Sequence, residues 1–196
     1  MNYNSDEFAI SELTMNKKIL MVLPLAMISI LMVGCENRAA TSELDTFSAQ
    51  VKVEEQNKAL VRRYLEGLDS YRVEIFDEVF SSDARIYFPG SFEPLSVDQV
   101  KPLLSGFYNA FDGMEHNIQD LIADGNKVLA KTRNSLTHSG EFAGISATGS
   151  VIQFEELALF RVEEGKIMEL WIQEDFLWMY QQLGMELTPI PTQSQN

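Results

Sequence analysis

From residue 58 onward the chain changes between a helical and a strand-like spacing of its apolar residues. Over Lys58–Leu68, Leu60, Val61, Tyr64, Leu65 and Leu68 fall on one stripe, with Arg62, Arg63 and Glu66 mostly off it. That pattern predicts an amphipathic helix laid on an apolar surface. A shorter helix follows at about Tyr71 to Phe80, carrying Val73, Phe76, Val79 and Phe80, and then a short strand from Ala84 to Phe88, ended by Pro89 and Gly90. Ser96-Val-Asp-Gln99 has the form of a capping box, and Val100, Leu103, Leu104, Phe107, Tyr108 and Phe111 continue at helical spacing. Pro102 removes one internal hydrogen bond there, so the helix is either kinked or begins later than the box. A meander comes next. Asp124-Gly-Asn126 turns His116–Ala123 back onto Lys127–His138, and Glu164-Gly165 turns Val151–Glu163 back onto Lys166–Asp175. Helices first and an antiparallel sheet afterwards predict an α+β domain whose helices cover one face of a curved sheet.

The last strand is the most informative. With a period of two, Glu169, Trp171, Gln173 and Asp175 point to one side and Met168, Leu170 and Ile172 to the other. The mixed face is expected to line a partly polar cavity. From Phe176 the spacing becomes helical, with Phe176, Leu177, Tyr180 and Leu183 on a stripe and Gly184 at the stop. Two strands earlier, Ala130, Thr132, Asn134, Leu136 and His138 share a face small and polar enough to line the same hollow. His138 ends that row as Asp175 ends the other. Glu155 or Glu156, Glu155 being taken here, is a further candidate on the intervening strand, and Phe107 is a candidate from the helical side. Each reading has a plainer rival: His138 satisfying carbonyls of a glycine-rich turn, Asp175 capping the helix that follows it, Trp171 as core, and His116 as surface.

The charge of -14, from 15 basic and 29 acidic residues, argues against a nucleic-acid partner, whose phosphates it would repel. Two histidines and one cysteine leave no zinc-like ligand spacing and no internal disulfide, so no structural metal is expected.

The N-terminal part reads as an address. Lys17 and Lys18 precede an almost wholly apolar run, Ile19 to Gly34, shorter than the ~20 residues of a spanning helix and interrupted by Pro24. Met32-Val-Gly-Cys35 resembles a bacterial lipobox, which implies lipidation at Cys35 and membrane attachment through it. Glu36, where inner-membrane lipoproteins commonly carry aspartate, implies outer-membrane sorting and a domain facing the periplasm. Residues 1–34 are therefore expected to be a signal peptide, with Met15 as a candidate true start. Residues 35–52 are expected to be a flexible tether, 53–185 the folded domain and 186–196 a disordered tail.

Thr137-His-Ser-Gly-Glu-Phe-Ala-Gly-Ile-Ser-Ala-Thr-Gly149, followed by Glu169-Leu-Trp171 and Asp175 leading into a helix that ends Gln181-Gln-Leu-Gly184, resembles the SnoaL-like polyketide cyclases of the NTF2-like superfamily. The resemblance implies a cone: a curved antiparallel sheet wrapped by three N-terminal helices plus a short C-terminal helix. It also implies that Asp175 and His138 are an acid and base pair working without a cofactor. Those cyclases carry another histidine where this chain has Tyr87, a residue able to donate to an oxyanion but not to act as a base near pH 7. Trp171, Gln173, Asn134, Thr132, Glu155 and Phe107 would contact the ligand, a small and largely apolar carbonyl compound undergoing isomerisation, cyclisation or hydration. The alternatives are a module that binds without turnover and one that forms a homodimer through its open sheet face.

Overall fold

The computed structural model describes residues 41–186 and residue 188. The expected signal peptide, Cys35, and the tail other than Glu186 and Thr188 lie outside the described residues. The chain divides into two compact units, residues 1–50 and 51–196. In the first, residues 41–50 are helical and exposed, and in the second residues 51 and 52, the end of the expected tether, are helical too. That stretch has no glycine or proline and includes the good helix formers Ala, Glu, Leu and Lys.

The second unit begins with α1, residues 51–69, which buries the predicted stripe of Val61, Tyr64, Leu65 and Leu68. Its first turns hold the sheet's far hairpin. Asn57 donates to the carbonyl of Gly125 at 3.0 Å, and the Gly125 N–H donates to Glu54 at 3.0 Å. Gly125 has φ +58°, the left-handed conformation this tight turn requires. After α1 come α2 (Ile75–Val79) and β1 (Phe80–Tyr87). Helix α3 (Val97–Ala110) starts at Ser96, whose N–H donates to Gln99 Oε1 at 2.9 Å, and it runs through Pro102 without moving its start. Strands β2 (Phe111–Asp124), β3 (Lys127–His138), β4 (Val151–Glu163) and β5 (Lys166–Glu174) form the meander, and α4 (Phe176–Gln182) follows.

The five strands lie in the order β1-β5-β4-β3-β2. β2 to β5 pair antiparallel as predicted, but β1 runs parallel to β5, so the sheet is mixed rather than antiparallel throughout. Hydrophobic periodicity sets which face a strand buries and is blind to which neighbour it pairs with. A parallel partner also needs a crossover, and a connection running through α3 and the whole meander supplies it.

One sheet face is sealed by the helices. Its main core joins Val61, Leu65, Ile75, Phe76 and Phe80 to Val128, Ala158, Phe160, Ile167 and Leu170. A second cluster, Ala110, Phe111, Leu136, Ile152, Met179 and Leu183, closes the end under α4. Each large side chain so buried contributes ~1.5–3 kcal/mol. Met179 takes the inward place in α4 expected of Leu177, which is 48% exposed.

Strand β5 keeps the predicted alternation from Glu169 onward but differs at Met168 and in which face is the inner one. Val162 pairs with Ile167 and Arg161 with Glu169, leaving Met168 as an extra residue. This bulge puts Ile167 and Leu170 on the same side. The face toward the helices is Leu170, Ile172 and Glu174, and Glu169, Trp171 and Gln173 face away. The reading of the mixed face as the inner one is corrected accordingly.

Candidate functional site

Between the helices and the sheet lies a cavity of about 330 Å³. The helical wall is apolar, with Leu68 and Phe76 from α1 and α2 and Val100, Leu104 and Phe107 from α3. Tyr64 of α1 also reaches in, edge-on to Phe76, Phe80 and Phe160 at centroid distances of 5.5, 5.2 and 5.9 Å. The sheet wall carries His116, Asn134, Glu156 and Glu174 among Met114, Leu136, Phe154 and Ile172. Among the described residues no lysine or arginine lines the hollow.

These polar groups come from neighbouring rows of the sheet. His116 on β2 is the register partner of Asn134 on β3, and Glu156 on β4 is the partner of Glu174 on β5. Two cross-links tie the rows together. Asn134 donates from Nδ2 to Glu156 Oε2 at 3.1 Å, and the two carboxyls hydrogen-bond to each other. Burial above all, then the charge of Glu156 and that shared hydrogen bond, push the Glu174 carboxyl well above the usual carboxylate range. Tyr64 is likewise held as a neutral phenol, its pKa raised first by burial and then by the charge of Glu156.

At the other end His116 is gripped by Asp69, the last residue of α1. Nδ1 of the ring lies 2.5 Å from Asp69 Oδ1, and the His116 backbone N–H donates to the same carboxylate at 3.1 Å. The histidine side chain is 5% exposed. With Nδ1–H donating to Asp69, Nε2 has no protein partner and is not sealed off, so it is free to accept a proton from the cavity. Tyr71 and Tyr108 set this corner. Tyr108 donates to the Leu68 carbonyl at 3.1 Å, and Met114 N–H donates to Tyr71 Oη at 3.1 Å.

Of the residues singled out in the sequence, Asn134 and Phe107 line the cavity. Thr132 is fully buried on the same sheet face beside them, with its hydroxyl unpartnered. The other placements are corrected. Asp175 lies outside the hollow and caps α4, accepting the Trp178 N–H at 3.0 Å, which is its plainer rival reading. His138 is fully buried but does not reach the cavity: it packs on Phe111 at 5.3 Å and accepts the Thr148 N–H at Nδ1, 3.3 Å away. Tyr87 and Trp171 stack on each other at 5.3 Å, 6° from parallel, on the far side of the sheet, and Gln173 lines a shallow recess with them. Glu155 also faces outward and pairs with Arg133 at 3.1 Å, leaving Glu156 as the inward acid. Trp171 and Gln173 alternate with the inward Leu170, Ile172 and Glu174, and the adjacent helix start accounts for Asp175.

Sequence reasoning passed over Asp69, Tyr64 and Glu174, and its reading of His116 as surface is corrected, since the side chain is buried on the cavity wall. Two had a usable signal. His116 sits between Met114 and Ile118 in an alternating apolar row, and Glu174 continues the row of Leu170 and Ile172. A lone ionisable residue in an apolar row is costly to bury without a partner, and so marks a site.

A helix-capped curved sheet enclosing a ligand-sized hollow, with its ionisable groups gathered mainly on the sheet wall, defines the class: an NTF2-like cone built around a small-molecule cavity. The chain belongs to the SnoaL-like polyketide cyclase family, which matches residues 58–183. Its fold is shared by the candidate polyketide cyclase IdmH of Streptomyces antibioticus, at 27% identity and TM-score 0.61, over 66% of this chain and 99% of that one. AclR, a candidate hydroxylase of Streptomyces galilaeus, is similar at 21% identity and TM-score 0.62, over 67% and 97%. A candidate polyketide cyclase of Acidithiobacillus ferrooxidans matches at 22% identity and TM-score 0.60, over 66% and 94%. No curated protein sequence matches the chain.

Proposed function

We propose that the domain binds a small, largely apolar carbonyl compound in this cavity and moves a proton on it. The observation that carries the reading is the His116–Asp69 pair, with an imidazole nitrogen left free on the wall of a largely apolar hollow. His116 Nε2 takes the proton from a carbon next to the carbonyl, Asp69 steadies the imidazolium that forms, and the neutral Tyr64 hydroxyl is a donor available to the developing enolate oxygen. Deprotonation of this kind is shared by isomerisation and by aldol ring closure.

Deuterium exchange at the acidic methylene of 2-tetralone, followed by proton NMR, tests it. Exchange should exceed the buffer blank, fall by ~10²–10⁴-fold in His116→Ala and persist in Asp175→Asn. Saturable binding of 2-tetralone with no exchange above the blank would leave the cavity as a carrier site and overturn the catalytic reading.

We also propose that the chain is anchored to the cell envelope through Cys35 and forms a homodimer through the outer sheet face. The lipobox-like Met32–Cys35 supports the first. Incorporation of radiolabelled palmitate, lost in Cys35→Ala, is the expected result. For the second, Ile122, Leu129, Leu159, Trp171 and Tyr87 are successive register partners, an apolar row crossing all five strands on the face the helices leave open.

A further inference from the structure

The ligand-sized hollow has acceptors and few donors. Glu156 and Glu174 meet across β4 and β5, and no lysine, arginine or backbone turn answers them inside the cavity. The one amide beside them, Asn134, spends Nδ2 on Glu156, while its Oδ1 has no hydrogen-bond partner although the residue is only 2% exposed. An orphaned acceptor of this kind costs ~1–3 kcal/mol unless something donates to it. Beyond that amide and the proton the two carboxyls share, the place thus lacks further donors and positive charge. Among the described residues no three His, Cys, Asp or Glu side chains come together to hold a metal ion, so an inorganic cation is poorly served. The surrounding wall is instead aromatic, with Tyr64, Phe76, Phe107, Phe154 and Phe160 presenting rings whose negative faces also favour a cation.

We propose that the ligand of this cavity is an apolar molecule bearing a protonated amine, seated on Glu156 and Glu174 with Asn134 Oδ1 beside it. An ammonium supplies three donors and one positive charge, which matches what these groups lack. The proposal rests on the cavity being the ligand site, and it adds a recognition handle at the β4–β5 end to the carbon chemistry assigned to His116 at the β2 end. An alcohol offers one donor without charge, and a carboxylate would be repelled by the acid pair.

Isothermal titration at pH 7 with 4-phenylbutylamine, 4-phenylbutanol and 4-phenylbutyrate tests it, since the three share a frame and differ in the head group. The amine should bind at least ~10-fold tighter than the alcohol, a margin of about 1.4 kcal/mol, and the carboxylate should not bind. Glu174→Gln and Glu156→Gln, each checked for a cooperative melt, should cut the amine-over-alcohol preference several-fold. Equal or tighter binding of the alcohol, or an amine preference that survives in whichever of the two variants folds, overturns the proposal while the cavity itself remains a ligand site. If none of the three compounds binds, the cavity reading falls with it.

Discussion

Asp69 settles what His116 can do. A carboxylate on Nδ1 fixes the ring's tautomer and leaves Nε2 as the acceptor, so removing that carboxylate should misdirect the imidazole without emptying the cavity. Asp69→Asn is expected to slow 2-tetralone exchange by ~10²-fold or more while its binding, read by calorimetry, stays within error. A parallel loss of binding would mean that Asp69 only holds the fold. Glu174 gives a second test through stability. Its folded-state pKa is raised, so the folded chain holds this proton more tightly than the unfolded chain, and the stabilisation is greatest at low pH. It declines as pH rises from the ordinary carboxylate range toward the raised value, beyond which the buried charge remains a constant cost. Glu174→Gln, which mimics the protonated acid, should therefore melt higher than the parent at pH 8 and close to it at pH 4. Equal melting temperatures at both would show that the carboxyl is not penalised by its surroundings.

Among the elements, the joint between α1 and α2 is the tightest. A Cβ placed on Gly67 would stand 2.4 Å from Ile75 Cγ1, so the two helices meet over a bare backbone. Alanine there gains helix propensity and loses more to overpacking, a net cost of ~1–2 kcal/mol, or a melting temperature lower by about 2–8 °C. Since Asp69 is two residues on, Gly67→Ala should also slow exchange, and a normal melt would contradict the packing. The loop that announced the family is placed by a similar approach. The N–H groups of Ser139 and Gly140 both donate to the Ala110 carbonyl at 2.9 Å, and a Cβ on Gly140 would lie 2.1 Å from the Asn109 carbonyl oxygen. Its Gly-rich spelling therefore records docking onto the end of α3, and the histidine within it is a buried structural group.

For the whole molecule, the proposed dimer follows from the two faces of the sheet. The inner face is spent on the helices and the cavity, and the outer row runs from Ile122, 59% exposed, through Leu129, 37% exposed, to the Tyr87–Trp171 stack. Light scattering on the chain from Gln50 onward should report a dimer at micromolar concentration and a monomer for Leu129→Glu. A monomer in both cases ends the proposal. The charge of -14 opposes self-association, so added salt should strengthen the dimer.

How much of this was legible in the chain divides along a physical line. Spacing of apolar residues located the helices, the strands and both hairpins, because burial on one face of an element is a local requirement that each stretch meets in its own residues. Motifs located the family for the same reason, since a docking glycine or a helix stop leaves its mark where it stands. The site obeyed no local rule. Alternation along β5 separated Trp171 and Gln173 from Leu170, Ile172 and Glu174, but which of the two sets met the helices was decided by tertiary packing. The pairings of Asp69 with His116 and of Glu156 with Glu174 join residues distant in the chain, and only the register of the strands and the seating of α1 decided them. The chain alone therefore determined which elements form and what family they build; the tertiary structure determined which side chains share the hollow, because cavity chemistry depends on neighbours across strands and not along them.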